Sequence, residues 1–214
     1  MFADAGELQA AKSWRAAYTS TPFRGLSLLL DLYRRLQSPP VLDVFSSMRV
    51  YRGDDGPFRS LYAEAHAQPA VRYRGSVSQT ELAAAMRGVS FLCYPCVFPE
   101  TFCIAALEAM AAGAQVVSTE LGALPTTTMG YGTLLPLAPM SQEEFLSRFG
   151  QLYCEAQRLQ RENPGAWAER MFEQSAAVNR SATWRRRGAA WLQLLEELHC
   201  AVAARPDPRP AIPA

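Results

Sequence analysis

Short apolar runs of strand length alternate with stretches of helical period along most of the chain, and that alternation limits what it can fold into. A strand buried on both faces reads as a near-continuous apolar run, and parallel neighbours need a crossover that is usually a helix. The pattern therefore predicts stacked βαβ units and an α/β, Rossmann-like parallel sheet flanked by helices. Strands are expected over 16–20, 41–46, 71–74, 90–94 and 115–118, with a sixth near 133–135. Helices are expected over 26–37, 57–68, 81–87 and 102–112. Ser38-Pro39-Pro40 stops the first helix, because proline cannot continue it and pushes its predecessor out of the helical region. Ser78 with Glu81 three residues later forms a capping box, and Gly113 suits the left-handed position past a helix end. After Ser141 the pattern is wholly helical, over 142–161, 164–176 and 182–203. Residues 1–204 are read as one domain, and 205–214, with four prolines in ten residues, as a disordered tail.

Composition narrows the function. A net charge of +1 with interspersed signs offers no basic face for nucleic acid or an acidic membrane. No stretch reaches the roughly 20 apolar residues of a membrane span, and the first ten residues carry acids where a signal peptide carries positive charge. A cytoplasmic protein, or a piece of something larger, is expected. Five cysteines, at 93, 96, 103, 154 and 200, suit reduced thiols better than a disulfide framework. Lys12 is the only lysine beside twenty arginines. Arg185-Arg186-Arg187 reads as a solvated patch.

Ligands of an open parallel sheet bind beyond the carboxyl ends of the strands, which directs attention to the loops there. In the first, Thr19, Ser20 and Thr21 precede Arg24 and Gly25 at a helix start. Hydroxyls, backbone N–H groups and a guanidinium suit a phosphate, or else they cap a helix beside a solvated arginine. Gly75, Ser76 and Val77 follow the third strand, where bare backbone could meet a planar ring or simply turn. Most informative is the segment after the fourth strand. Glu100 and Glu108 lie eight residues apart around a helix start, a separation of about 12 Å at a helical rise of 1.5 Å per residue. The helix N-terminus can take phosphate charge while a carboxylate at each end accepts bonds from sugar hydroxyls. Equally, Glu100 could complement the helix dipole and Glu108 point to solvent.

Glu100-Thr-Phe-Cys-Ile-Ala-Ala-Leu-Glu108, followed by Ala-Met-Ala-Ala-Gly and then by Val-Val-Ser-Thr-Glu-Leu-Gly-Ala-Leu-Pro, resembles the donor-binding signature of family 4 glycosyltransferases. Phe23-Arg24-Gly25-Leu26, Gly75-Ser76-Val77 and Glu81-Leu82-Ala83 resemble the same enzymes in the same order, so the likeness spans about 15–136. It implies the C-terminal, donor-binding half of a GT-B enzyme that transfers a sugar with retention from a UDP- or GDP-linked donor, with no metal and no other cofactor. It further implies that Glu100 contacts the donor sugar as the catalytic acid residue, Glu108 holds the ribose hydroxyls, and Arg24 meets the diphosphate. Amides around Phe102, Cys103 and Ile104 would face phosphates and sugar, the base would lie by Gly75 to Val77, and Thr19, Ser20 and Gly25 complete the donor loop. Two departures stand out. Thr19 and Ser20 occupy the place of a second basic residue, and Thr126 that of an acid.

A GT-B enzyme needs two such domains around its active site. The chain is therefore expected to partner an N-terminal acceptor domain, in the same or a separate chain, that binds a sugar or glycan acceptor. A non-catalytic, regulatory or scaffolding module of the same fold is the alternative. Trp184, Trp191, Leu192, Leu195 and Leu198 recur at helical spacing, which reads first as core packing and second as a docking surface. Cys93-Tyr94-Pro95-Cys96 is a C-x-x-C pair, but Cys93 sits in an apolar strand and the next helix starts too late to activate Cys96, so both are expected to be structural thiols. The chain lacks G-x-G-x-x-G and the P-loop pattern, and Lys12 lies before the first strand, where no pyridoxal phosphate would reach it.

Overall fold

The computed structural model describes residues 1–203; the expected tail over 205–214 lies outside them. The strands are β1 (Ser13–Tyr18), β2 (Val41–Val44), β3 (Val71–Tyr73), β4 (Val89–Cys93), β5 (Gln115–Thr119) and β6 (Thr133–Leu135). All their pairings are parallel, in the order β3-β2-β1-β4-β5-β6. Every residue of β4 and β5 is buried, as a strand covered on both faces requires. β1 begins before the expected 16–20 and ends before Thr19, because its first residues are held by ladder bonds rather than burial. Ser13 donates to the Gly88 carbonyl at 3.0 Å and Arg15 pairs in register with Val41.

The helices are α1 (Ala5–Ala11), α2 (Leu26–Arg35), α3 (Arg59–Ala67), α4 (Gln79–Arg87), α5 (Ile104–Ala111), α6 (Leu124–Thr127), α7 (Gln142–Glu162), α8 (Pro164–Ser181) and α9 (Trp184–Ala203). α4 carries the expected capping box: Ser78 accepts from the Glu81 amide while Glu81 accepts from that of Ser78. A 3₁₀ turn, Gly56–Phe58, replaces the first turn expected at Pro57. α1 was not expected. Asp4 caps it through the Glu7 amide at 2.8 Å, and Leu8, with Phe2, packs on Trp167, Ala168 and Met171 of α8. α8 runs past the expected 176 to Ser181, with buried Val178 joining the main core.

α2 packs on α3 and α7, α1 and α5 pack on α8, and α7 joins the two sets by packing on α8. Lys12 fastens the amino-terminal ends of the central strands β1 and β4, away from the strands' carboxyl ends. Its Nζ donates to the carbonyls of Val89 at 2.8 Å, Ala112 at 2.6 Å and Met86 at 3.5 Å, while burial and nearby Arg87 push its pKa down to about 7. α9 departs from its expected role. Trp184 is 78% exposed, Trp191 62% and Leu195 54%, so this stripe is not core. The apolar period is present, but nothing in the described residues covers it.

Candidate functional site

Chain order along the sheet reverses between β1 and β4, which leaves a crevice at their carboxyl ends where the loops part to opposite sides. A cavity of about 440 Å³ opens there. The loop after β1 contributes Thr19, Ser20 and Arg24 to its wall. Gly25 does not line it. Gly25 has φ +115°, and a side chain there would overlap the Pro95 carbonyl, so its bare backbone lets the loop after β1 lie against the loop after β4.

That second loop supplies Glu100, which is 6% exposed. Arg24 Nη1 donates to its Oε1 at 3.0 Å and its Oε2 at 3.3 Å, and the Tyr94 hydroxyl donates to Oε1 at 2.5 Å. The Arg24 guanidinium also stands 4.7 Å from the centre of the Phe98 ring. Burial alone would lower the Arg24 pKa, but the Glu100 carboxylate beside it leaves a net upward shift. Gly122, at φ +59°, braces the loop from behind: a side chain there would collide with Glu100 backbone, and Ala123 N–H donates to the Glu100 carbonyl at 2.7 Å.

α5 starts at Ile104, two residues later than expected, because Cys103 takes the left-handed conformation (φ 60°) and breaks the helical run. The eight residues from Glu100 to Glu108 are thus not one helical rise, and the 12 Å reckoning does not hold. The intended arrangement survives by another route. Phe102, Cys103 and Ile104 line the cavity at the N-terminus of α5, whose first amides have no partner within the helix, and Glu108 lines it one turn further in. Thr127 secures the turn by donating to the Phe102 carbonyl. Glu108 opens onto the cavity, yet enough of it is enclosed that desolvation raises its pKa. Burial pushes the Cys103 thiol up to about 12.

Gly75 and Val77 form part of the opposite wall with Ser76. Further contributors escaped the sequence reading, among them Phe45, Ser47, Val50 and Tyr51 after β2 and Gln79 at the start of α4. The rule that ligands bind beyond strand ends covers the β2 loop too, but its Gly53-Asp54-Asp55-Gly56 run belongs to none of the motifs that marked the other loops. Its shape is fixed by Asp55, which accepts from Ser47 Oγ and Met48 N, both at 2.7 Å, and from Tyr62 at 2.9 Å. Tyr94 was likewise passed over, since a tyrosine at a strand end reads as core. Cys93 and Cys96 are fully buried, and burial raises both thiols, which suits structural residues. Among the described residues no group of three or more His, Cys, Asp or Glu could hold a metal ion, and no helix is long and apolar enough to cross a membrane.

The fold and the placement of paired acids about a helix N-terminus define a C-terminal GT-B-like domain. The family model described as "Glycosyl transferases group 1" matches residues 20–155, and the chain belongs to that family. It is 30% identical over 146 residues to an MMP alpha-(1->4)-mannosyltransferase of Mycolicibacterium hassiacum, a match covering 68% of this chain and 35% of that protein. It is 36% identical over 105 residues to a phosphatidyl-myo-inositol mannosyltransferase of Mycobacterium leprae, covering 48% of this chain and 26% of that one. Among solved structures, sucrose-phosphate synthase of Thermosynechococcus elongatus superposes with a TM-score of 0.67 at 20% identity, over 94% of this chain and 50% of that one. Anabaena HepE in complex with UDP-glucose gives 0.65 at 14%, over 90% and 51%. The chain thus spans about a third or less of these curated relatives and about half of these structures.

Proposed function

We propose that this chain binds a UDP- or GDP-linked sugar in the cavity between the β1 and β4 loops and serves as the donor half of a retaining, metal-independent glycosyltransferase. One observation carries the reading: Glu100 and Glu108 reach a single cavity from either side of the free amides that begin α5. Those amides and Arg24 meet the diphosphate and, as it leaves, the charge that develops on it, a role a divalent cation plays elsewhere. Glu108 takes the ribose hydroxyls, Glu100 the sugar hydroxyls, and Gly75 to Val77 lie along the base. The mannosyltransferase names of the relatives and the UDP-glucose of the Anabaena complex support a hexose as the sugar. The acceptor site belongs to a second domain, in the same or a partner chain, a reading supported by the share of its relatives that this chain spans. Titration calorimetry with UDP and GDP tests the proposal: one should bind saturably at a single site, and binding of neither would overturn it.

A further inference from the structure

The C-x-x-C thiols are buried, and the tyrosine between them touches the carboxylate on which the proposed function turns. We propose that Tyr94 is a positioning residue for Glu100: it fixes which carboxylate oxygen faces the donor sugar when Arg24 turns to the diphosphate. The proposal rests on the donor-binding reading above. Glu100 Oε1 already receives the Tyr94 hydroxyl at 2.5 Å and Arg24 Nη1 at 3.0 Å. Oε2 has only the longer contact with Arg24, at 3.3 Å. An ionised carboxylate offers about four acceptor positions, two per oxygen, so Oε1 is filled and Oε2 keeps one position open for a sugar hydroxyl.

The direction of the bonds follows from counting hydrogens. Tyr94 has one phenolic hydrogen and gives it to Glu100, so Ser20 Oγ, 3.3 Å from the Tyr94 oxygen, must be the donor between those two. The line from Ser20 through Tyr94 to Glu100 runs one way, and each bond polarises the next. Burial raises the Tyr94 phenol further above its usual value, so it remains a donor at any working pH. The two partners of Glu100 differ in freedom. Arg24 is held partly by the Phe98 ring, and its buried Nε has no hydrogen-bond partner, so an incoming anion offers it more than it has. Tyr94 is 1% exposed and wedged edge-on against Tyr18, with ring centroids 5.7 Å apart. The Tyr18 hydroxyl is in turn tied to the Thr21 carbonyl at 2.7 Å. When a diphosphate draws Arg24 away, Tyr94 is the group that stays.

The test compares titration calorimetry of UDP with UDP-glucose, and of GDP with GDP-mannose, on the parent chain, Tyr94→Phe, Glu100→Ala and the double variant. Tyr94→Phe keeps the ring and its packing. It should lower the ratio of nucleotide-sugar to nucleoside-diphosphate affinity about tenfold, the worth of one hydrogen bond to a charged group. In the Glu100→Ala background, where no side-chain acceptor is left for Tyr94, the same replacement should change that ratio less than about twofold, because its route of action is gone. Equal weakening of both ligands by Tyr94→Phe, or an undiminished effect in the Glu100→Ala background, would overturn the assignment in favour of a purely structural tyrosine. Should Tyr94→Phe not fold, Ser20→Ala cuts the same line one bond earlier. Its ratio should fall in the same direction, and an unchanged ratio overturns the proposal. Binding of neither nucleotide to the parent would overturn the donor reading and this role with it, whereas binding with an unaltered ratio overturns the Tyr94 role alone.

Discussion

Glu100 and Glu108 share a motif and differ in surroundings, so their replacement should separate two kinds of binding. Glu108→Ala is expected to weaken nucleoside diphosphate and nucleotide-sugar alike, by about tenfold to a hundredfold, the loss of a charge-assisted bond of roughly 1.5 to 3 kcal/mol. Glu100→Ala should remove only what the sugar adds, and in an assembled enzyme depress turnover most. A helix-capping acid and a surface acid would instead change stability by about a kcal/mol or less and leave calorimetry unmoved. Desolvation raises Glu108 above its ordinary 4.5, which sets the sign of a pH effect. Below 4.5 both folded and unfolded chains hold the proton; as pH rises through the folded value the native state must carry a disfavoured charge and loses stability. Glu108→Gln should therefore melt at a higher temperature than the parent at neutral pH, the difference shrinking as pH falls toward 4.5. An identical melting temperature at neutral pH would contradict this. The buried thiols give a null expectation: Cys93→Ala with Cys96→Ser should leave nucleotide affinity within a few-fold, and loss of all binding together with a titratable redox pair would refute it.

At the scale of elements, what the sequence disclosed depended on whether the determining forces were local. β4 and β5 are short strands built around apolar centres, Phe91-Leu92-Cys93 and Val116-Val117, and α4 is announced by its capping box, so all three were legible. Ser78→Ala should cost about 1 kcal/mol, read as a fall in melting temperature, because one orphan amide loses its acceptor. α1 went unread because its one fully buried side chain, Leu8, makes no period; its partner Trp167 lies far along the chain. The late start of α5 depends on a left-handed cysteine that no composition rule favours. At the site, the two glutamates and the glycines were legible from motif spacing. The Arg24–Glu100 pair, 76 positions apart, was not, since it exists only once the sheet order brings the two loops together. α9 inverts the lesson, for its period was plain and its covering was not. Trp191→Ser with Leu195→Ser should leave the melting temperature of the chain within a degree or two, since exposed side chains have no packing to lose; a drop comparable to a core replacement would mean the helix packs after all.

For the whole molecule, a cavity walled by one domain cannot exclude water from a reacting sugar or orient an acceptor, and both are needed for transfer. The purified chain is therefore expected to bind its nucleotide but to transfer no sugar on its own. Robust turnover by the monomer with a defined acceptor would sink the half-enzyme reading. The sheet has another consequence, which comes from the amino-terminal ends of its central strands. The chain's single lysine is sequestered there, its Nζ engaged by three carbonyls of the β4 and α5 surroundings. Reagents that seek lysine amines, whether biotin esters, cross-linkers or an acetyl-transferring enzyme, thus meet a folded surface with no freely presented lysine. A lysine introduced at an exposed position would be the one readily labelled lysine, beside the α-amino group of Met1, and an unlabelled Lys12 would report that the chain is folded.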